Sequence, residues 1–183
     1  HNDRVLNMMH SLGITNQEGC PVKVIFAPSY LDGNDGIFNT PYYDLLIGDD
    51  LAIYPSYYEP WGYTPLEAIA FHVPCITTSL SGFGLWANKV KGDTSHLSDG
   101  VEVIDRDDYN YNDVARAISH AILTYASLPS TEADAIRKKA ARLSQKALWK
   151  HFITYYQQAY DIALRNAAAR LQAIPEKNQS AKI

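Results

Sequence analysis

The order of apolar segments predicts an α/β protein: a parallel, doubly wound sheet with helices on both faces and a long helix near the carboxyl end. Three observations carry this. Four short runs, residues 22–27 (VKVIFA), 51–54 (LAIY), 75–78 (CITT) and 101–104 (VEVI), alternate with helix-forming stretches across short connections, the pattern of strand–helix–strand units. The first runs are mostly apolar rather than alternating, as strands covered on both faces require. From residue 131 to about 171, Ile136, Ala140, Leu143, Ala147, Phe152, Tyr155, Ala159 and Ile162 recur every three to five positions, which is helical spacing.

Taken in order, residues 3–12 read as a short helix with Val5, Leu6, Met9 and Leu12 on one side. Residues 22–27 form a buried strand stopped by Pro28, and the polar, Gly-rich stretch 29–40 is a loop in which Asp32, Asn34 and Asp35 are turn chemistry. Residues 41–47 have helical composition with Pro at the start, and 51–54 are the next strand. Thr64-Pro65-Leu66-Glu67 fits a capping box with Pro at the first helical position, so a helix begins at about 65 and stops before Pro74. After the strand at 75–78, Ser81-Gly82-Phe83-Gly84 turns into a short helix over 85–90, and 101–104 is the fourth strand. Residues 112–126 place Val114, Ala117, Ile118, Ala121 and Ile122 on a helix that Pro129 ends. The stretch beyond is one long helix, or two with a bend near Trp149, and its surplus apolar face suits a partner domain. Residues 1–174 are thus expected to form one domain, excised from a longer protein, with a polar tail over 175–183.

Composition excludes several classes. At 183 residues and 46% hydrophobic, the chain can bury one good core. Its net charge of −4 and the absence of a broad basic patch argue against a nucleic-acid partner. No apolar run approaches membrane-spanning length and the first residues lack signal-peptide shape, so a soluble protein without a membrane partner is expected. Cys20 and Cys75 lack metal spacing, and Cys75 in an apolar strand reads as a reduced, buried thiol, which places the protein in the cytoplasm. The six histidines are scattered without ligand spacing, so no metal is expected.

Residues 54–84 carry the chemistry. In parallel α/β sheets ligands bind beyond the carboxyl ends of strands, so the loops after 51–54 and 75–78 share one binding edge. The helix opened near Thr64 turns its free N–H groups and positive dipole end to that edge, and Gly62 lets the backbone come close to a diphosphate. Neither a Walker sequence nor G-x-G-x-x-G is present, which argues against ATPase and dinucleotide readings. Two carboxylates lie eight residues apart. Glu59 sits beside Pro60 and Trp61 with no capping role, a candidate reactive acid or a solvated loop acid. Glu67 is either a ligand group or the acid of the capping box. Tyr57, Tyr58, Trp61 and Tyr63 suit stacking on sugar or base, or anchoring of the loop.

The strings SYYEPWGYTPLE and TTSLSGFG, in this order, closely resemble the animal and fungal type of glycogen synthase, a retaining glycosyltransferase of two Rossmann-like domains (the GT-B architecture). VKVIFAPSYL, PYYDLLIGDDLAIYPS and LWKHFITYYQQAY extend the resemblance over roughly residues 3–160. It implies that this chain is the carboxyl-terminal, donor-nucleotide domain, with the amino-terminal acceptor domain absent. By that resemblance Glu59 is the acid near the reacting face of the sugar. Trp61, Gly62, Tyr63 and Thr64 meet glucose and diphosphate, with Ser81, Gly82 and Phe83 on the sugar side of the cleft. Glu67 accepts from the ribose hydroxyls, and Tyr42, with Phe26 nearby, stacks on the base. The implied partners are UDP-glucose, an α-1,4-glucan and the protein's own amino-terminal domain, with a homo-oligomer left open and no cofactor or metal. Two features depart from the pattern. Ala27 stands where the family commonly has His, and the 29–40 loop is long. Only Arg137, Lys138, Lys139 and Arg142 fall where eukaryotic members carry an arginine cluster, so a bacterial-style enzyme without sugar-phosphate control is the natural reading. Rival readings are a relative using ADP-glucose or making sucrose or trehalose phosphate, and a non-catalytic carbohydrate-associated scaffold.

Overall fold

The computed structural model describes residues 3–93 and 95–173. They divide into two compact units that meet between Leu45 and Leu46. In the first, helix α1 (Arg4–Ser11) is capped by Asp3, whose carboxylate accepts from the amides of Val5 and Leu6 at 2.9 and 3.0 Å, and none of its residues is buried. The predicted strand at 22–27 is absent: the segment has no regular secondary structure and pairs with no strand among the described residues. Its ladder partner is replaced by a side chain. The Asn16 amide group donates to Val24 O at 2.6 Å and accepts from Val24 N at 2.9 Å, and Val22 and Ile25 stay exposed. The 29–40 loop is built from turn chemistry as expected: Asp35 accepts from the amides of Ile37, Phe38 and Asn39. These bonds, led by the one from Phe38, hold its carboxyl below the ordinary value. Helix α2 (Tyr42–Leu46) follows.

The second unit contains a parallel three-stranded sheet in the order β1 (Ala52–Ile53), β2 (Cys75–Thr78), β3 (Val101–Ile104). β2 is central and every residue in it is buried. Its register pairs Cys75 with Val101 and Thr78 with Ile104. Because side chains alternate along a strand, the two sheet faces can be separated. Ile76 and Ile104 join Leu97, Val114, Ala121, Tyr125 and Ile136 in one cluster, covered by α5 (Tyr111–Ala126) and the start of α6 (Ser130–Ser144). On the other face Cys75 lies against Pro65 of α3 (Tyr63–Ala70), with Phe83 and Ala87 of α4 (Gly82–Lys91) fully buried. Each large aliphatic or aromatic side chain buried in this way contributes about 1.5–3 kcal/mol. Helices therefore cover both faces of a parallel sheet, the predicted fold class with three strands in place of four.

Two local expectations change. Helix α3 starts at Tyr63 with Gly62 as its N-cap and no side-chain capping bond, so Thr64 lies within the first turn and the capping box is not formed. The physical reason is Gly62, whose φ of +118° turns the chain one residue pair earlier than Pro65 would. Near the carboxyl end, a short 3₁₀ turn at Gln145–Ala147 and an extended Leu148 (ψ 145°) separate α6 from α7 (Trp149–Ala173). That is the bend near Trp149. The predicted tail lies outside the described residues.

Candidate functional site

The loops after β1 and β2 are joined side by side at the carboxyl edge of the sheet. Glu59 and Ser81 form a one-residue parallel bridge, Glu59 N donating to Leu80 O at 3.1 Å and Gly82 N to Glu59 O at 3.0 Å. Ser81, fully buried, continues the seam: its Oγ donates to Trp61 O at 3.0 Å and accepts from Gly84 N at 3.3 Å, while Phe83 N donates to Trp61 O at 2.6 Å. The first amides of α4 are thus consumed by protein. Gly82 is required by this closeness, because a Cβ there would lie 2.2 Å from Pro60 O.

The start of α3 is different. Gly62 is buried at positive φ, and no side chain caps the helix; among the described residues the amides of Gly62, Tyr63 and Thr64 have no hydrogen-bond acceptor. Tyr63 and Thr64 are exposed. An uncapped helix start with its dipole intact can hold an anion, an interaction of about 0.3–1 kcal/mol when exposed and up to about 2 when partly buried.

Glu59 lies three residues before the N-cap Gly62, half-buried. Ser56 Oγ donates to Glu59 Oε2 at 2.7 Å, and Ser56 O accepts from the buried Thr78 Oγ1 at 2.6 Å. The carboxylate is therefore oriented by a serine whose own backbone is fixed to β2. Glu67 lies on α3, one helical turn beyond Tyr63, partly buried. Among the loop aromatics, Trp61 is an anchor, packing edge-on against Phe83 and Phe152 at 6.3 and 5.6 Å and against Trp86 at 5.9 Å. Tyr58 and Tyr63 are 82% and 71% exposed and remain open to a ligand. A cleft of about 510 Å³ beside Trp61 and Tyr63 is completed by Leu66, Trp149, Phe152 and Tyr155.

The structure thus brings together Glu59, Trp61, Gly62, Tyr63, Thr64, Ser81, Gly82 and Phe83 of the predicted set. Within it, Ser81 and Phe83 present no side chain to a ligand, since both are fully buried. Phe26 and Tyr42 belong to the first unit. There Tyr42 is half-buried, its N–H donating to Leu31 O at 2.9 Å, with its ring 5.3 Å from that of Tyr43, and Phe26 is 38% exposed. The basic stretch of α6 has structural duties: Arg137 donates to Asp49 O and pairs with Asp50, and Lys139 donates to Ser98 O and pairs with Asp99. No helix among the described residues is long and apolar enough to cross a membrane.

Three residues around Glu59 were not singled out from the sequence: Ser56, Thr78 and Arg106. Ser56 and Thr78 stand inside the quoted strings. Arg106, two residues past β3, is pointed to by the rule that sites collect at the carboxyl ends of strands.

The glycogen synthase family model matches residues 1–182. The chain is 31% identical over 167 residues to glycogen [starch] synthase of Neurospora crassa, an alignment covering 91% of this chain and 23% of that enzyme. It is likewise 31% identical to isoform 1 from Saccharomyces cerevisiae (91% and 23%) and 30% identical to the liver enzyme of Mus musculus (90% and 23%). The chain thus spans about a quarter of the length of these relatives. The paired turns around Glu59 and Gly62 and a match over nearly every residue lead to one conclusion: the chain belongs to the glycogen synthase family.

Proposed function

We propose that this chain is the donor-binding part of a retaining glucosyltransferase that moves glucose from UDP-glucose to the non-reducing end of an α-1,4-glucan. The observation that carries the reading is the uncapped start of α3, preceded by a carboxylate that Ser56 holds in place. In the transfer, the bond from glucose C1 to the diphosphate oxygen breaks and a bond from an acceptor hydroxyl forms on the same face. The hydroxyl proton leaves with the nucleotide. Positive charge grows on the sugar ring and negative charge on the departing diphosphate. In this reading the Glu59 carboxylate offsets the first, and the amides of Gly62, Tyr63 and Thr64 with the α3 dipole offset part of the second. Backbone around Ser81, Gly82 and Phe83 borders the sugar, and Glu67 takes the ribose hydroxyls.

Further cations and the glucan site come, in this reading, from an amino-terminal domain in the cytoplasmic full-length protein, and no metal takes part. The test is a UDP-glucose-dependent extension assay on full-length protein, wild type against Glu59→Ala. We expect kcat to fall about 10²–10³-fold, the scale of a lost transition-state electrostatic contact. Unimpaired transfer by the variant removes Glu59 from the mechanism. Titration with UDP, ADP and GDP separates the donors, and equal or absent UDP binding favours an ADP-glucose enzyme or a scaffold.

A further inference from the structure

The three loops at the carboxyl edge are tied together through Arg106 and Ser79. Arg106 N donates to Ser79 Oγ at 2.9 Å, and Ser79 Oγ donates to Asp105 Oδ1 at 2.8 Å, locking the turn after β3 to the turn after β2. From there the Arg106 guanidinium crosses to the loop after β1. Its Nη1 donates to Pro55 O at 2.5 Å, and its carbon lies 5.2 Å from the centroid of the Tyr57 ring. Tyr57 in turn donates its hydroxyl to the carboxylate of Asp108. Pro55 and Tyr57 are the two neighbours of Ser56. One arginine therefore holds the chain on both sides of the residue that donates to Glu59 Oε2.

We propose that Arg106 is a positioning residue for Glu59, acting through the Pro55–Ser56–Tyr57 backbone to fix the carboxylate for sugar transfer. The inference rests on the role assigned above to Glu59. Its physical basis is that a serine hydroxyl is aimed by its backbone. Thr78 Oγ1 holds the 56–57 peptide through the Ser56 carbonyl, whereas the 55–56 peptide, whose N–H closes only a local turn on Tyr54 O at 2.7 Å, is tied to the neighbouring loop by the bond from Arg106 to Pro55 O. A planar guanidinium suits the task, since its edge donates while its face stacks on an aromatic ring, and an ammonium does not reproduce this. The obvious alternative is a cation for the donor diphosphate. The geometry disfavours it: Nη1 is spent on Pro55, the ring of Tyr57 lies over the guanidinium, and Nε, although without a hydrogen-bond partner, is buried away from any ligand.

The test uses full-length protein with Arg106→Met and Arg106→Lys, each made in wild type and in Glu59→Ala. Arg106→Met is expected to lower kcat about 10–100-fold with donor KM unchanged, the scale of an ångström-sized misplacement of a reacting group. Arg106→Lys is expected to recover only a minor part. In the Glu59→Ala background, Arg106→Met should have no further effect, because the group it positions is gone. A raised donor KM with kcat intact, full recovery by Lys, or an undiminished effect in Glu59→Ala overturns the proposal. Absence of glucose transfer by the wild type is a failure of the functional reading alone. The positioning contact is then judged by hydrogen exchange: Arg106→Met, or Arg106→Lys if Met does not fold, should speed exchange at residues 54–62 and leave α6 protected. Unchanged exchange there overturns it.

Discussion

The turns after β1 and β2 look alike in sequence, each a short glycine-bearing loop leading into a helix, yet they spend their amides in opposite ways. At α4, Gly82 N, Phe83 N and Gly84 N go to Glu59 O, Trp61 O and Ser81 Oγ. At α3, no side chain caps the helix, and Gly62 takes a φ of +118° that leaves the next N–H groups without an acceptor among the described residues. The second turn is the mould and the first is what it shapes. A glycine-rich helix start is therefore not a binding site until its donors have been followed to their acceptors.

The largest break in this comparison should come at Gly82. A methyl group there would sit 2.2 Å from Pro60 O, a backbone atom that cannot swing aside. Gly82→Ala is expected to cost on the order of 3 kcal/mol, the upper end for overpacking, and to lower Tm by about 6–12 °C in a protein of this size. Thermal unfolding followed by circular dichroism reads it, and a Tm within a degree of wild type would mean that the two turns are not locked together.

Gly62→Ala should divide its effect differently. The contacts of its added methyl, all near 3.1 Å, are with Phe83, Pro65 and Ser81 side chains, but the positive φ remains strained for any L side chain. The stability loss is about 1–3 kcal/mol. UDP binding should weaken by more than the change in folding explains, about tenfold or 1.4 kcal/mol, measured by calorimetry well below Tm. Ser81→Ala, which removes the bonds to Trp61 O and Gly84 N, should cost about 1 kcal/mol with UDP affinity unchanged. If Ser81→Ala weakens UDP binding and Gly62→Ala does not, the assignment of mould and site is reversed.

The contrast also explains what was legible in the sequence. β2 and β3 were readable to the residue, because short runs of β-branched residues bounded by turns suit strands that are covered on both faces, as Cys75–Thr78 is throughout and Val101–Ile104 is at all but Glu102. The segment at 22–27 has the same composition and is not a strand. Composition reports what a strand needs from its faces, whereas its edges depend on partners elsewhere, and here the Asn16 side chain takes the position of a neighbour. The capping box at Thr64 was misread for a similar reason: the helix start was decided by the turn at Gly62, which spacing alone does not rank above Pro65. Glu59 and its loop were legible as a string. The contacts that orient Glu59 were not, since Thr78 lies 22 residues from Ser56 and Arg106 lies 51 from Pro55. Nothing local encodes such pairs.

The smallest effect should come from Glu102 in β3, remote from both turns, and it sets the baseline for the others. Partial burial raises its pKa above the ordinary 4.5, against the Leu97 amide and the charges of His96, His120 and Lys91, which pull it down. The folded state then holds the Glu102 proton more tightly than the unfolded chain does. Stability associated with this group is complete below the ordinary value and is lost as pH rises through the higher, folded-state one. Glu102→Gln keeps the shape without the ionisation. Its Tm should exceed that of wild type at pH 7, and the difference should shrink toward zero near pH 4, while UDP affinity stays constant. A difference that is the same at both pH values would show that packing, not the buried charge, governs this strand, and a change in UDP affinity would extend the site beyond the paired turns.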